Sequence, residues 1–201
     1  MLIGIVDSGG ANLASVQFAI QRAGFDSFLS ADQATLEKAD KLILPGVGAA
    51  SLAMNNLREK KLVDFLRSTH QPLMGICLGM QLLFEYSEEG NIDCLGLIPG
   101  KVKSIPKDGN FSIPHMGWNQ LKQLNDCSLL RGVPEKSYVY FVHSYYAEVS
   151  QYTVASCEYN VELSAIVGQS GIWGCQFHPE KSGEIGTQII KNYCSSNEGR
   201  N

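Results

Sequence analysis

A cysteine between glycines, in Gly75-Ile76-Cys77-Leu78-Gly79, is the first place where this sequence could do chemistry. An apolar run precedes it and a helix-compatible run follows. A sharp strand-to-helix turn forces a nucleophile into strained geometry, and flanking glycines let neighbouring backbone pack close to it. The thiol also lies at a helix N-terminus, where unpaired N–H groups and the dipole favour thiolate. On the pentapeptide alone, a buried inert cysteine competes with this reading. The second place is Gln176-Phe177-His178-Pro179-Glu180, at the end of a predicted strand. Residues i and i+2 of an extended chain share a face, so His178 and Glu180 point the same way, and Pro179 biases His178 towards extended geometry. A carboxylate on one ring nitrogen leaves the other to accept a proton from a nucleophile. A surface His and Glu at a strand end is the plainer alternative. The third is Pro45-Gly46-Val47-Gly48. Backbone N–H groups of Gly46, Val47 or Gly48, together with that of Leu78, would form the oxyanion hole that acyl transfer needs. The segment lacks the lysine-containing pattern of a phosphate loop, and a plain tight turn is its simpler reading.

The elements around these segments read as strand and helix in alternation. Leu2–Val6 is a strand, and Leu13, Val16, Phe18, Ala19 and Ile20 keep an apolar face at helical spacing as far as Gly24. Phe25–Leu29 is a second strand, Leu36–Ala39 a short helix, Lys41–Leu44 a third strand, and Ala49–Leu66 a helix broken near Lys60. Leu73–Ile76 is a fourth strand and Leu78–Tyr86 a helix. Fully apolar strands alternating with helices predict a parallel sheet covered on both faces. A strand-end nucleophile and a strand-end base would then meet at the carboxyl edge, where ligands sit in such sheets. The second half is β-rich, in short segments at Gly100–Ile105, Gly117–Leu121, Tyr138–Phe141, Ala147–Val149, Thr153–Glu158, Ser164–Val167 and Ile172–Phe177. These predict antiparallel strands added on the edge of the sheet. A helix from Glu184 to Cys194 follows, with Ile185, Ile189 and Ile190 on one side, then a polar, frayed tail. The expected fold is α/β, one domain over residues 1–201, with a mostly parallel central sheet flanked by helices.

Composition narrows the function. The 201 residues are 44% hydrophobic and 18% charged, which is globular, and the net charge is −4 without any Lys/Arg block, which argues against nucleic acid. No basic segment precedes the first apolar run, so no secretory signal is expected. The longest apolar stretch, Pro72–Phe84, is broken by Gly75 and Gly79 and is shorter than the ~18 residues of a membrane span. The six cysteines, at 77, 94, 127, 157, 175 and 194, include no Cys-x-x-Cys pair. Reduced thiols in a cytoplasmic protein are expected, with neither a disulfide scaffold nor a metal site. Cys175, on the strand leading to His178, is expected in the core.

Pro45-Gly-Val-Gly48, Gly75-Ile-Cys-Leu-Gly-Met-Gln81 and His178-Pro-Glu180, in that order, resemble the class I, or triad, glutamine amidotransferases. Asp7-Ser-Gly-Gly-Ala-Asn-Leu-Ala-Ser-Val16, Pro114-His-Met-Gly-Trp-Asn119, Tyr140-Phe-Val-His-Ser-Tyr145 and His178-Pro-Glu-Lys-Ser-Gly183 are similar to the glutaminase subunits of imidazole glycerol phosphate synthases. The catalytic motifs specify the superfamily and the His-Met-Gly-Trp-Asn run the subunit. Ser8-Gly9-Gly10-Ala11 departs from the family, which often carries an aromatic residue and Gly-x-Gly-Asn there. The resemblance implies a flavodoxin-like fold and a triad of Cys77, His178 and Glu180 that hydrolyses glutamine to glutamate and ammonia. Gln81, Ser144 and Tyr145 would hold glutamine, and no cofactor is implied. The ammonia would pass to a separate cyclase subunit, a (β/α)₈ barrel forming a heterodimer with this chain in histidine biosynthesis, which makes imidazole glycerol phosphate and aminoimidazole carboxamide ribotide. Met116, Trp118 and Lys181 are the candidate interface residues, since aromatic, Met and cationic side chains are common anchors. Trp118 as a core tryptophan is the alternative.

Three other readings compete. The glutaminases of anthranilate and pyridoxal phosphate synthases share the triad without the His-Met-Gly-Trp-Asn run. A flavodoxin-like cysteine peptidase or deglycase usually has His directly after the nucleophile, where this chain has Leu78, and lacks the His178-Pro-Glu180 pair. A regulatory subunit with a dead elbow is disfavoured, since all three triad positions are filled.

Overall fold

A computed structural model describes residues 1–9, 13–107, 111–123, 125–197 and 199–200. Part of the Asp7–Val16 motif, including Gly10 and Ala11, lies outside the described residues. Apolar strands Leu2–Val6 (β1), Asp26–Ser30 (β2), Lys41–Gly46 (β3) and Leu73–Cys77 (β4) alternate with helices Leu13–Arg22 (α1), Gln33–Leu36 (α2), Ala50–Glu59 (α3) and Leu62–Ser68 (α4). The predicted break near Lys60 is real: Lys61 turns the chain with φ 56° and separates α3 from α4. Next come the single-turn helix Leu78–Gln81 (α5), then strands Phe84–Ser87 (β5), Ile92–Asp93 (β6), Ile98–Ser104 (β7), His115–Gln120 (β8) and Lys122–Gln123 (β9). After a 3₁₀ turn, Tyr138–His143 (β10), Tyr145–Ala147 (β11), Thr153–Tyr159 (β12), Val161–Gln169 (β13) and Ile172–Cys175 (β14) complete the strands. A second 3₁₀ turn, Pro179–Lys181, leads into helix Gly183–Ser195 (α6).

The main sheet has the order β2-β1-β3-β4-β14-β13-β12-β9. The run from β2 to β14 is parallel, and β13, β12 and β9 extend it antiparallel. Period-2 alternation splits the apolar residues between two faces. Ile43, Met74 and Ile76 pack with α1 and α6 on one side, through Val16, Ile20, Ile189 and Tyr193. Leu42, Leu44 and Leu73 pack with α3 and α4 on the other, through Met54, Leu57, Phe65 and Leu66. The ammonium of buried Lys41, at the start of β3, donates to the carbonyls of Tyr193 and Ser196 at 2.6 and 2.7 Å. A cation at those carbonyls offsets the negative end of the α6 dipole.

Three sequence expectations need correction. The helix expected over Leu78–Tyr86 is one turn, after which Phe84–Ser87 is strand β5; Leu82, Leu83 and Phe84 are buried whichever way they face, so their apolar run carried no period. The later strands do not all join the edge of the main sheet: β11-β7-β5-β6 form a second sheet and β10-β8 a ribbon of their own. Phe18, read as part of the apolar face of α1, is 59% exposed.

The middle of the parallel sheet positions the candidate site. Adjacent strands β3, β4 and β14 run the same way, so their carboxyl ends, at Gly46, Cys77 and Cys175, meet at one edge. Gly46 pairs with Cys77 and Ile76 with Cys175.

Candidate active site

The glycines around Cys77 make the elbow possible. A Cβ on Gly75 would lie 2.5 Å from the Gly79 carbonyl oxygen, and one on Gly79 would overlap the Leu44 carbonyl oxygen. The first turn of α5 therefore sits directly on β3 and β4. Cys77, between β4 and α5, has φ 54° and ψ −110°, a conformation L-residues avoid. Its sulfur lies 3.7 Å from the Val142 carbonyl oxygen and within reach of the His178 ring.

His178 and Glu180 pair by a different local structure from the one expected. Strand β14 stops at Cys175, and Pro179–Lys181 forms a 3₁₀ turn that curls Glu180 back onto the ring. Glu180 Oε1 accepts from His178 Nδ1 at 2.7 Å, with the two side chains 1% and 3% exposed. This leaves Nε2 as the nitrogen that faces Cys77. The backbone is clamped as well: His178 N–H donates to Tyr140 O at 2.9 Å, and Ser182 Oγ donates to His178 O at 2.7 Å. Burial opposes charge on the ring, but the Cys77 sulfur and the Glu180 carboxylate outweigh it and raise His178 to about 10. The imidazole is therefore protonated at neutral pH.

Cys77 and His178 open into a cavity of about 270 Å³, below the range that houses drug-sized ligands and suited to a metabolite of amino-acid size. Val47, Gly48, Leu78, Gln81, Ser144 and Tyr145 line it too, so the structure gathers most of the residues expected there. Gly48 needs glycine for its φ of +91°, since a Cβ there would touch nothing within 4 Å. Gly46 differs from expectation. It lies under α5, where a Cβ would sit 2.7 Å from Gly79 N, so it permits close packing and does not line the cavity. Gln81 Nε2 donates to Tyr145 O at 2.9 Å and to Gln176 Oε1 at 3.0 Å, which turns its carbonyl end to a ligand.

Glu89 also lines the cavity, and sequence reasoning missed it. Its Oε2 accepts from Ala50 N–H at 2.8 Å, at the start of α3. Burial raises its pKa, against that hydrogen bond. Nothing in Ser87-Glu88-Glu89-Gly90 separates this carboxylate from its neighbour by sequence.

The family model described as glutamine amidotransferase class-I matches residues 5–196. The chain belongs to the class I glutamine amidotransferases. Among relatives of this amidotransferase, the imidazole glycerol phosphate synthase subunit HisH of Xanthomonas axonopodis pv. citri is 50% identical over 191 residues, covering 95% of this chain and 96% of the relative. The same subunit of Haemophilus influenzae is 46% identical over 191 residues, with the same coverage. The solved structure of PurLQS from Thermotoga maritima shares the amidotransferase fold with a TM-score of 0.71 at 19% identity, covering 96% of this chain and 97% of that one.

Beside this cavity, ribbon β10-β8 carries Met116 and Trp118, 62% and 56% exposed, so Trp118 is no core tryptophan. Trp118 meets the Tyr140 ring edge-on at 6.0 Å, and Lys181 Nζ lies 5.9 Å from the centre of that ring. Trp118 and Lys181 therefore flank Tyr140, whose carbonyl accepts from His178 N–H, and Met116 stands opposite Val142 on the same ribbon. Four of the other five thiols are unsuited to nucleophilic work: burial pushes Cys94 up to about 11, Cys157 and Cys194 up to about 12, and Cys175 higher still. Among the described residues no cluster of three His, Cys, Asp or Glu could hold a metal, and no helix is long and apolar enough to cross a membrane.

Proposed function

We propose that residues 1–201 form one amidotransferase domain, a cytoplasmic glutaminase that supplies ammonia to a separate cyclase, as the subunit of an imidazole glycerol phosphate synthase. One observation carries the chemistry: Cys77 in a strained elbow faces the His178–Glu180 pair in a cavity edged by Val47, Gly48 and Leu78. The relatives carry the pathway, since the subunits named above match over nearly the whole chain.

In this reading the α-ammonium of glutamine pairs with Glu89, and its backbone groups meet Gln81 Oε1 and the main chain of Ser144 and Tyr145. Cys77, having given its proton to His178, attacks the γ-carboxamide carbon, and the carbonyl electrons move to oxygen. The N–H groups of Leu78 and of the Val47–Gly48 turn hold that oxyanion. His178 Nε2 delivers its proton to the leaving nitrogen; the C–N bond breaks and ammonia departs, leaving a thioester on Cys77. Water, deprotonated by His178, attacks the thioester, and glutamate leaves as the Cys77 thiolate re-forms. Glu180 holds the ring orientation and stabilises its charged form throughout. The Met116, Trp118 and Lys181 surface docks the cyclase beside the exit for ammonia. No step calls for a metal or cofactor.

The test measures glutamate formation by the chain alone, then with the cyclase and its ribulosyl phosphoribosyl-carboxamide substrate, using glutamine labelled in the amide nitrogen. Glutamate forming in step with label entering the imidazole product is expected. No glutamate under either condition would refute the glutaminase, and glutamate without label transfer would refute the synthase assignment.

A further inference from the structure

The residues that face glutamine on β10 and β11 rest on a buried pair of histidines to which the mechanism assigns no step. In the β10-β8 ribbon, His143 stands opposite His115. His115 Nδ1 and His143 Nε2 are 2.9 Å apart, and His143 Nδ1 lies 2.8 Å from Tyr145 O, the same carbonyl that accepts from Gln81. At the other end His115 Nε2 lies 3.3 Å from Asn119 Nδ2. The direction of every bond is fixed by its ends. A carbonyl only accepts, so His143 Nδ1 carries the proton. Asn119 is oriented twice over, its Nδ2 donating to Glu158 O at 3.0 Å and its Oδ1 accepting from Gln120 N–H at 2.8 Å. Its amide therefore donates to His115 Nε2, which leaves His115 Nδ1 to donate to a bare His143 Nε2. One arrangement satisfies all of this, with both rings neutral and both protonated on Nδ1.

The surroundings enforce it. The His115 ring is stacked between Phe141 and Tyr159, with centroids 4.7 and 3.9 Å away. Burial pushes His115 down to about 4, and burial and then the neighbouring His115 push His143 down to about 3. The charged His178 ring lies near enough to His143 to oppose a second cation.

We propose that His115 and His143 are positioning residues for the glutaminase reaction: the relay Asn119–His115–His143–Tyr145 holds the turn from His143 to Tyr145 in the conformation that binds glutamine. This rests on the glutaminase reading above. The relay makes no hydrogen bond to Cys77, His178 or the oxyanion turn, and its end on the Tyr145 carbonyl meets Gln81, so its loss acts first on binding. His115→Phe keeps a flat ring between Phe141 and Tyr159 but leaves His143 Nε2 without a donor, whereas His115→Gln can donate to His143 and accept from Asn119. One lost hydrogen bond predicts a rise in KM for glutamine of about five- to tenfold in His115→Phe, with kcat within about twofold, and a KM near wild type in His115→Gln. The assay uses the chain with its cyclase at saturating acceptor substrate, beside thermal melts of each variant. An unchanged KM in a folded His115→Phe protein would overturn the proposal. So would a fall in kcat alone, or a His115→Gln variant as impaired as His115→Phe, which would make the effect one of packing. Should His115→Phe fail to fold, Asn119→Ala breaks the far end of the relay: a KM rise supports the proposal and an unchanged KM overturns it. Wild-type enzyme that hydrolyses no glutamine would instead refute the glutaminase reading, and the two failures are thereby distinct.

Discussion

Replacing Glu180 tests how the structure makes a charged imidazole. The carboxylate accepts from His178 Nδ1 at 2.7 Å with both side chains almost wholly excluded from water. Glu180→Gln keeps the shape and one acceptor oxygen but removes the charge. Hydrogen bonds to charged groups contribute about 1.5–3 kcal/mol against about 0.5–1.5 for neutral ones, so the loss is about 1–1.5 kcal/mol. At about 1.4 kcal/mol per pH unit, His178 should titrate about one unit lower in this variant. The ring then stays charged at neutral pH, and kcat/KM falls about tenfold through weaker support of the imidazolium. Glu180→Leu leaves a buried cation without its partner, which costs about 3–5 kcal/mol, or about 2 to 4 pH units. His178 would then be substantially neutral near pH 8, and kcat/KM should fall by about 10² to 10⁴. NMR titration of the His178 ring protons, beside the pH profile of glutamine hydrolysis, separates the variants. The sign is fixed by the raised value. Above its usual 6.5 and up to about 10, folded His178 binds a proton that the unfolded chain releases. Its contribution to stability is full below pH 6.5 and is lost as pH rises through about 10, so the gap in stability between wild type and Glu180→Leu should narrow over that window. Identical titration of His178 in wild type and Glu180→Leu would refute the reasoning.

Other perturbations probe the elbow and the docking surface. Gly79→Ala puts a Cβ onto the Leu44 carbonyl oxygen, backbone against backbone, and should cost more than about 3 kcal/mol in a chemical melt or abolish folding; a variant of wild-type stability would contradict the close packing of α5 on β3. Gly48→Ala meets no atom and strains only the backbone at φ +91°, so a loss of about 1–2 kcal/mol is expected, with an activity loss that exceeds it if the turn holds the oxyanion. Trp118→Ala should leave the melt within about 0.5 kcal/mol and weaken cyclase binding by about 30-fold or more, read by calorimetry. Unchanged affinity and unchanged stimulation by the cyclase would remove Trp118 from the interface.

What could be read in advance was local. Gly75-Ile-Cys-Leu-Gly79 shows in the sequence because the elbow needs its glycines within two residues of the nucleophile, and the alternation of Leu2–Val6, Lys41–Leu44 and Leu73–Ile76 with helices places the Pro45 and Cys77 segments at one sheet edge; the strand before His178, expected antiparallel at the edge, is instead β14, parallel beside β4. His178 and Glu180 were correctly paired, although through a 3₁₀ turn and not through strand alternation, because either geometry brings i and i+2 together around Pro179. Features that need register were hidden. His115 and His143 lie 28 residues apart, and only the β10-β8 pairing brings their rings to 2.9 Å. Glu89 reaches the cavity because β5 replaces the expected helix, a switch that the apolar run Leu82-Leu83-Phe84 could not announce. Gly46 was misjudged for the opposite reason: the Pro-Gly-Val-Gly pattern suggests a turn open to a ligand, but its first glycine still belongs to β3.

Covalent labelling asks whether Cys77 alone of the six thiols performs the reaction. The chain, with its cyclase bound, is treated with an electrophilic glutamine analogue, and the adducts are located by peptide mass spectrometry. One adduct per chain is expected, on Cys77, that free glutamine suppresses and Glu180→Leu slows. An adduct on any of the other five cysteines that glutamine suppresses, or no adduct on Cys77, would contradict that role of Cys77.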